Sequence, residues 1–363
     1  VAKQDVLLSF PYQSYTHVIN LLREASIDPK VVSISITLYR MANNSRIVNS
    51  LINAIKNGKK VTAIVELQAR FDEEANLEWK SVLEEEGIRV LLGVPNMKVH
   101  AKLCVITRRE KQKLQYYGFV STGNLNESSA RVYADHCLLT SSPAIMRDAL
   151  RVFEYLEKWQ RGMLPLRKCK TLLVSPVSMR SGIARMIEQE IKAARAGKKA
   201  KIIIKLNSLS DPALIKLLNK AASSGVELHL IVRGIYCAQF PLSKKRLPPH
   251  AISIVDEYLE HARVLVFYNK GKERVFISSA DWMVRNLDYR VEAAVEIIDS
   301  TIRKEMLSIL EIQLADNVKA RLLNDSLNNQ YALSNTKKSV RSQVLIADFL
   351  QRASSRRFNK QPS

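Results

Sequence analysis

Cysteine is scarce in this chain of 363 residues, and the four present form no C-x-x-C pair. No Cys/His spacing suited to a metal centre occurs either. Cys104, Cys137, Cys169 and Cys237 read as reduced core residues, at least three of them within apolar runs, which points to a cytoplasmic compartment. No apolar run reaches the roughly 18 residues that a membrane helix requires. The first residues, Val1 to Asp5, carry neither a signal peptide nor a starting methionine, and the chain is expected to be a fragment of a longer protein. Glycine is not arranged to cradle phosphate. Gly197-Lys198-Lys199 lacks the upstream glycine and the Ser/Thr of a P-loop, and no G-x-G-x-x-G occurs. A G-x-S-x-G nucleophile elbow is missing too. P-loop, dinucleotide-fold and hydrolase-elbow chemistries are thereby set aside.

What the chain has in excess is positive charge. Lysine and arginine number 56 against 35 acidic residues, a formal net charge of +21. Such an excess suits a polyanionic partner (nucleic acid, an acidic membrane surface or a phosphate chain), unless it serves solubility alone. The length allows about two domains.

Apolar spacing predicts strands at 31–38, 61–67, 88–92 and 114–121, and helices at 13–25, 47–56, 76–86 and 144–159. Asn57-Gly58 closes the second helix, and Arg108 to Lys113 form a basic turn. After a linker at Arg161 to Pro165 the pattern begins again: a helix over 183–194, a strand over 200–206, a helix over 213–222 capped by Asp211-Pro212, and a strand over 226–233. Setting Gly58 over Gly225 without gaps lays Val61 to Glu66 on Leu228 to Arg233, so we read a diverged internal duplication. Strands alternating with helices make each half α/β. Ser300 to Leu323 has helical spacing. Beyond Asn324 the chain is polar and basic (Lys337, Lys338, Arg341, Arg352, Arg356, Arg357), with a short amphipathic piece over 344–350. We expect this tail to be partly disordered.

The repeated unit that carries chemistry is His-x-(Lys/Arg) followed by a Ser-rich strand end. The first copy is His100-Ala101-Lys102 with Ser121 to Asn124, and the second is His261-Ala262-Arg263 with Ser278 to Asp281. On an extended strand, residues two apart share a face, which sets an imidazole beside a cation. Histidine attacks phosphorus when its other ring nitrogen is oriented, in a site dense with cations. Arg40, Arg70, Lys102, Arg233 and Arg263 fall at strand ends, where open α/β sheets bind ligands. His17, His136 and His229 lack a duplicated cation and read as packed residues. The acidic run Phe71 to Glu74 suits either a metal or a helix N-terminal cap. A phosphotransferase, a phosphodiesterase or nuclease, and a non-catalytic polyanion-binding module all remain open on these residues.

The two His-x-Lys-like strands on duplicated α/β halves resemble the phospholipase D superfamily, with Thr107 in place of the motif's aspartate and Arg263 in place of its lysine. A fuller resemblance runs from Asp5 to about Arg321, to the C-terminal catalytic half of the bacterial polyphosphate kinases. It rests on Pro11 to Ser14, Thr37 to Arg40, Val65 to Glu74, Val99 to Lys102, Ser121 to Asn124, Lys205 to Ser208, Ile231 to Gly234, Leu259 to His261, Ser279 to Trp282, Arg285 to Asp288 and Asp316 to Arg321. The resemblance implies an α/β fold of two phospholipase D-like domains, each a mixed sheet flanked by helices, related by a pseudo-twofold. Residues 1–165 and 166–325 would be the domains and 326–363 the tail. It also implies reversible transfer of the terminal phosphate of ATP to polyphosphate through a phosphohistidine on His100. Lys102 would assist, and His261 would serve as acid or base partner. Tyr133, Arg233 and His261 match nucleotide-binding positions, and Arg290 lies in a matching basic stretch expected to touch phosphate. Arg40 and Arg70 match the family's magnesium site, although a guanidinium has no lone pair to give a metal, so contact through phosphate or water is expected. The implied ligands are Mg²⁺, ATP or ADP, and inorganic polyphosphate, with no nucleic acid. The full-length protein is expected to be a homo-oligomer, with peripheral membrane association open. The resemblance implies two further domains ahead of this region, outside the stretch it covers here, and Tyr236 to Phe240 and Ala262 depart from the family's usual residues.

Overall fold

The computed structural model describes residues 3–42, 44–66, 73–240, 249–332 and 338–358. The first half contributes β1 (Val6–Phe10), α1 (Thr16–Ile27), β2 (Val31–Leu38), α2 (Arg46–Lys56), β3 (Lys60–Val65), α3 (Glu73–Glu85), β4 (Arg89–Leu91), β5 (Lys98–Val99), β6 (Lys102–Glu110), β7 (Lys113–Ser121), β8 (Tyr133–Thr140) and α4 (Pro143–Glu157). A short turn of helix, α5 (Leu164–Arg167), follows. The second half contributes β9 (Leu172–Val174), α6 (Met179–Arg195), β10 (Lys201–Leu206), α7 (Pro212–Ser223), β11 (Glu227–Val232), β12 (His250–Ile254), β13 (Leu259–Glu260), β14 (Arg263–Phe267), β15 (Arg274–Ser278), α8 (Val284–Asp288), β16 (Arg290–Val291), β17 (Ala293–Glu296), α9 (Ser300–Leu314) and β18 (Ala320–Leu322), with α10 (Ser342–Phe358) last.

Two mixed sheets result, ordered β1-β8-β7-β6-β2-β3-β4 and β18-β12-β11-β10-β14-β15-β17-β9. The gapless duplication holds at the level of strands: β3 pairs parallel with β2, as β11 does with β10. Gly58 and Gly225, at φ +76° and +91°, end the preceding helices in the left-handed region that glycine tolerates best. Helix starts follow the capping residues. Ser45 accepts a hydrogen bond from the Val48 N–H, and Asp211 accepts one from the Leu214 N–H, with Pro212 at the first turn.

Strand residues alternate between two buried environments, so both faces of each sheet are covered. On β6, Cys104 and Ile106 pack with α1 and α2, whereas Leu103 and Val105 face a central cluster. On β14, Leu265 and Phe267 pack on the α6 and α7 side, whereas Val264 and Val266 join that same cluster. The central cluster also takes Ile145, Val152 and Phe153 of α4 and Met306 and Leu310 of α9. One core therefore cements the two halves.

Several expectations change. The segment at His100 is no single strand: β5 ends at Val99 and β6 begins at Lys102. The basic turn is tighter than 108–113, because β6 runs on to Glu110 and the chain reverses at Lys111, φ +55°. The helix expected over 300–323 stops at Leu314, since the Asp316 carboxylate accepts the N–H groups of Val318, Lys319 and Ala320 and turns the chain into β18. Within the tail, residues 342–358 form α10, whose Ile346 and Leu350 pack on Ile309 of α9. The thiols of Cys104 and Cys137 are buried and that of Cys169 partly so, whereas Cys237 is exposed.

Candidate active site

Two reciprocal backbone exchanges build the site. β5 of the first half pairs in parallel with β16 of the second, matching Lys98 with Arg290 and Val99 with Val291. The N–H groups of His100 and Ala101 both donate to the Val291 carbonyl, at 2.9 and 2.8 Å. In mirror fashion β13 of the second half pairs with β8 of the first, matching Leu259 with Tyr133 and Glu260 with Ala134. There the N–H groups of His261 and Ala262 both donate to the Ala134 carbonyl, at 3.2 and 2.9 Å.

Each histidine then meets a carboxylate from the opposite half. His100 Nδ1 lies 2.9 Å from both oxygens of Glu292. That carboxylate also accepts from Asn286 Nδ2 at 2.7 Å and from the Ser279 hydroxyl. His261 Nδ1 lies 2.8 Å from Asp135 Oδ2, and Asp135 Oδ1 accepts from the Thr122 hydroxyl at 2.6 Å. The Ser-rich segments after each histidine strand thus hold the partner acids. Gly123 explains itself here, because a Cβ on it would stand 2.1 Å from Asp135 Oδ2.

Electrostatics follow from burial. Desolvation, aided by Lys102, pushes the His100 imidazole down to about 3 despite Glu292 beside it. Burial alone would raise Glu292, yet His100 and Lys102 hold it below the usual carboxylate range. The neutral ring therefore carries its proton on Nδ1, facing the anion, and keeps its Nε2 lone pair for an electrophile. Burial also lowers Lys102, to about 7; Arg263 and Arg290 add to this while Glu292 opposes it. Its ammonium donates to the His100 carbonyl and lies 5.2 Å from the Tyr39 ring, which in turn meets the His100 ring edge-on at 5.0 Å. Around His261, Arg263 grips Asp281 with two bonds (3.2 and 2.8 Å) and sets Nη1 3.1 Å from both ring nitrogens. Burial and Arg263 lower His261, with Asp135 opposing. Lys102 is influenced by Glu292, Arg263, Arg290 and Asp135 together, so both histidine pairs belong to one charged cluster.

The other sequence candidates sort around these pairs. Arg40 follows β2, with its guanidinium 6.0 Å from the Tyr39 ring. Arg290 influences both His100 and Lys102. Tyr133 lies 5.2 Å from His261, centroid to centroid, and Arg233 Nη2 donates to the side-chain Oδ1 of Asn207. Arg70 and the acidic run 71–74 lie outside the residues whose side chains are described. Among the described residues no three His, Cys, Asp or Glu side chains cluster to hold a metal. Both oxygens of Glu292 are committed to His100, and a guanidinium cannot ligate. The described donors thus do not fit a magnesium ion held by protein alone. Of the histidines read as packed, His136 is buried against the Ser9 hydroxyl and His229 is half-buried beside Glu227, whereas His17 is exposed on α1.

The family model "Polyphosphate kinase C-terminal domain 1" matches residues 1–162, and "Polyphosphate kinase C-terminal domain 2" matches residues 172–343. The chain belongs to the polyphosphate kinase family. It is 47% identical over 354 residues to a polyphosphate kinase from Vibrio vulnificus (strain CMCP6), covering 97% of this chain and 50% of that protein. Against a polyphosphate kinase from Escherichia coli (strain K12) it is 44% identical over 352 residues, with the same coverage. The crystal structure of polyphosphate kinase from Porphyromonas gingivalis superposes with a TM-score of 0.89 at 40% identity, covering 97% of this chain and 53% of that one. The chain thus spans about half the length of the curated relatives it matches. A phosphatidylserine synthase from Haemophilus influenzae, at TM-score 0.60 and 12% identity, shares the fold alone. The architecture of this polyphosphate kinase family member is two duplicated α/β domains, each a mixed sheet flanked by helices.

Sequence reasoning missed Asp135, Glu292, Tyr39 and Asn207. A signal for the two acids was present: Tyr133-Ala-Asp135 and Arg290-Val-Glu292 repeat a spacing in both halves, each following a residue already singled out.

Proposed function

We propose that this chain is the catalytic region of an ATP:polyphosphate phosphotransferase that works through a phosphohistidine on His100. The observation that carries the reading is the buried imidazole whose Nδ1 is bound to Glu292 from the other half, within the influence of Lys102 and Arg290. The polyphosphate kinase names of its relatives supply the two substrates. Nε2 of His100 attacks the γ-phosphorus of ATP, the bond from that phosphorus to the β,γ-bridging oxygen breaks, and ADP leaves. The cation forming on the ring is stabilised through its Nδ1 proton by Glu292. The terminal oxygen of a polyphosphate chain then attacks the same phosphorus, the N–P bond breaks, and the neutral imidazole returns. Lys102, Arg290 and Arg40 neutralise the phosphoryl oxygens in flight. Tyr133, Arg233 and His261 hold the nucleotide. Magnesium enters as part of the nucleotide substrate, bound by its phosphates. The two domains of the reading are residues 1–165 and 166–325. The buried free thiols of Cys104 and Cys137 suit a cytoplasmic setting.

The test is labelling of the full-length protein with γ-³²P-ATP. The parent is expected to gain acid-labile, base-stable phosphate, and His100→Ala to gain none. Glu292→Gln, which keeps shape and loses charge, is expected to label about 10²–10⁴-fold more slowly. Equal labelling of His100→Ala, or transfer to water in place of polyphosphate, would sink the reading.

A further inference from the structure

The tail helix reaches the back of the His261 strand. Residues 342–358 lie almost wholly beyond the matched family region, which ends at 343. The start of α10 is fastened at several points. Ser342 N–H donates to Asp316 Oδ2 at 2.7 Å, Val340 N–H donates to Asn317 Oδ1 at 2.8 Å, and Arg341 grips Asp256 with Nε and Nη2 at 2.9 and 2.7 Å. Next to these anchors stands Gln343, 3% exposed. Its Nε2 donates to the Tyr258 carbonyl and to Glu260 Oε1, both at 2.8 Å, while its Oε1 accepts the Tyr258 N–H at 2.9 Å. One side-chain amide therefore satisfies both backbone groups of Tyr258, as a neighbouring strand would.

What it grips is decisive. Tyr258 directly precedes β13, whose only two residues pair with β8. Glu260 is 1% exposed, with Oε2 bonded to Lys205 and to Gln313 Nε2, so its side chain cannot shift without breaking a buried ionic network. On the far side, the amides of Leu259, His261 and Ala262 donate to the carbonyls of Val132 and Ala134. A two-residue ladder specifies its register weakly by itself.

We propose that Gln343 is a positioning residue: it fixes the register of β13 against β8, and so sets His261 beside Tyr133 and Asp135. The part that concerns nucleotide rests on the function proposed above. Loss of this grip loosens the ladder and weakens the nucleotide pocket, while His100, carried by β5 and β16, keeps its chemistry.

The experiment compares three forms of the full-length protein: parent, Gln343→Met and Leu350→Ala. Leu350 is buried on the same helix, in its contact with α9, and touches none of these bonds. Gln343→Met is expected to speed hydrogen exchange at the Leu259, His261 and Ala262 amides about tenfold, and to raise the KM for ATP about tenfold with kcat within about twofold, the scale of one or two lost hydrogen bonds. Leu350→Ala, at a similar loss of Tm, is expected to leave the KM within about twofold. Should Gln343→Met not fold, Gln343→Asn, one methylene short, is read the same way. Unchanged exchange at those three amides, or an equal KM rise in Leu350→Ala, overturns the proposal. If the parent makes no polyphosphate yet the three amides exchange faster in the variant, the functional reading falls and the register role stands.

Discussion

The imidazoles of this protein show how burial decides the use of one residue type. His100 and His136 are both pushed down to about 3, largely by desolvation, but of the two only His100 has a ring nitrogen bonded to a carboxylate. His136 bonds the Ser9 hydroxyl at 3.0 Å, and its work is in stability. Its folded pKa lies below the 6.5 of an unfolded chain, so the unfolded state takes the proton first. Stability from the neutral ring is complete above about pH 6.5 and is lost progressively as the pH falls toward 3. Each such histidine contributes a slope of up to ~1.4 kcal/mol per pH unit in that window. His136→Asn is therefore expected to be less stable at pH 8 but less acid-sensitive. Urea unfolding from pH 7 to 4.5 should show a slope shallower by about that amount; identical slopes would mean that His136 is not buried neutral. At this scale the sequence made His100, Lys102, His261 and Arg263 legible, because duplication marks what a lone motif cannot. The acids were not legible, for a physical reason: Glu292 and Asp135 stand 192 and 126 residues from the histidines they hold, and only the fold joins them.

Elements with a full period of apolar residues could be read from the chain, and even the three-residue β4 fell within the strand predicted at 88–92, but the two-residue strands could not. The helix predicted at 47–56 is α2, 46–56, because Ser45 and Asn57-Gly58 punctuate it. β5 and β13, two residues each, have no period to detect, yet they carry the site. Of the tail helix, the amphipathic piece over 344–350 was legible, because Ile346 and Leu350 pack on α9, whereas its attachment through Arg341, Ser342 and Gln343 was not. The join between halves is likewise polar. Asp148 on α4 is 1% exposed, and its Oδ2 accepts from the N–H groups of Lys170, Thr171 and Leu172 at 2.7, 2.6 and 3.1 Å. Arg151 donates to Oδ1 at 2.6 Å. These bonds, rather than any run of apolar residues, lead the chain into β9. Asp148→Ala leaves the buried N–H of Leu172 and the less buried ones of Lys170 and Thr171 without their acceptor and is expected to cost about 1–3 kcal/mol. Chemical denaturation against the parent measures it, and a loss below about 0.5 kcal/mol would show that water or a neighbour replaces the carboxylate.

Across the whole molecule, two copies of one fold share a central core and complete each other's site, so neither histidine pair exists within one half. The net charge of +21 belongs to this scale, because no single arginine accounts for it. Under the function proposed above, a nucleotide with a few charges would meet mainly the local cluster around Lys102, Arg263 and Arg290. A long phosphate chain would extend beyond that cluster and sample the wider positive charge as well. Screening separates the two cases: the Debye length falls from about 10 Å at 0.1 M salt to about 3 Å at 1 M, so exposed charge is muted while the buried cluster is not. Binding of long polyphosphate to the His100→Ala chain, which cannot turn it over, is expected to weaken at least tenfold between about 0.05 and 0.5 M salt. ATP binding to the same variant should weaken only a few-fold. The slope of log affinity against log salt should also grow with phosphate chain length until the chain outruns the basic surface. If long polyphosphate and ATP lose affinity in parallel, the surface charge takes no part in holding the polymer, and the excess of lysine and arginine is an aid to solubility.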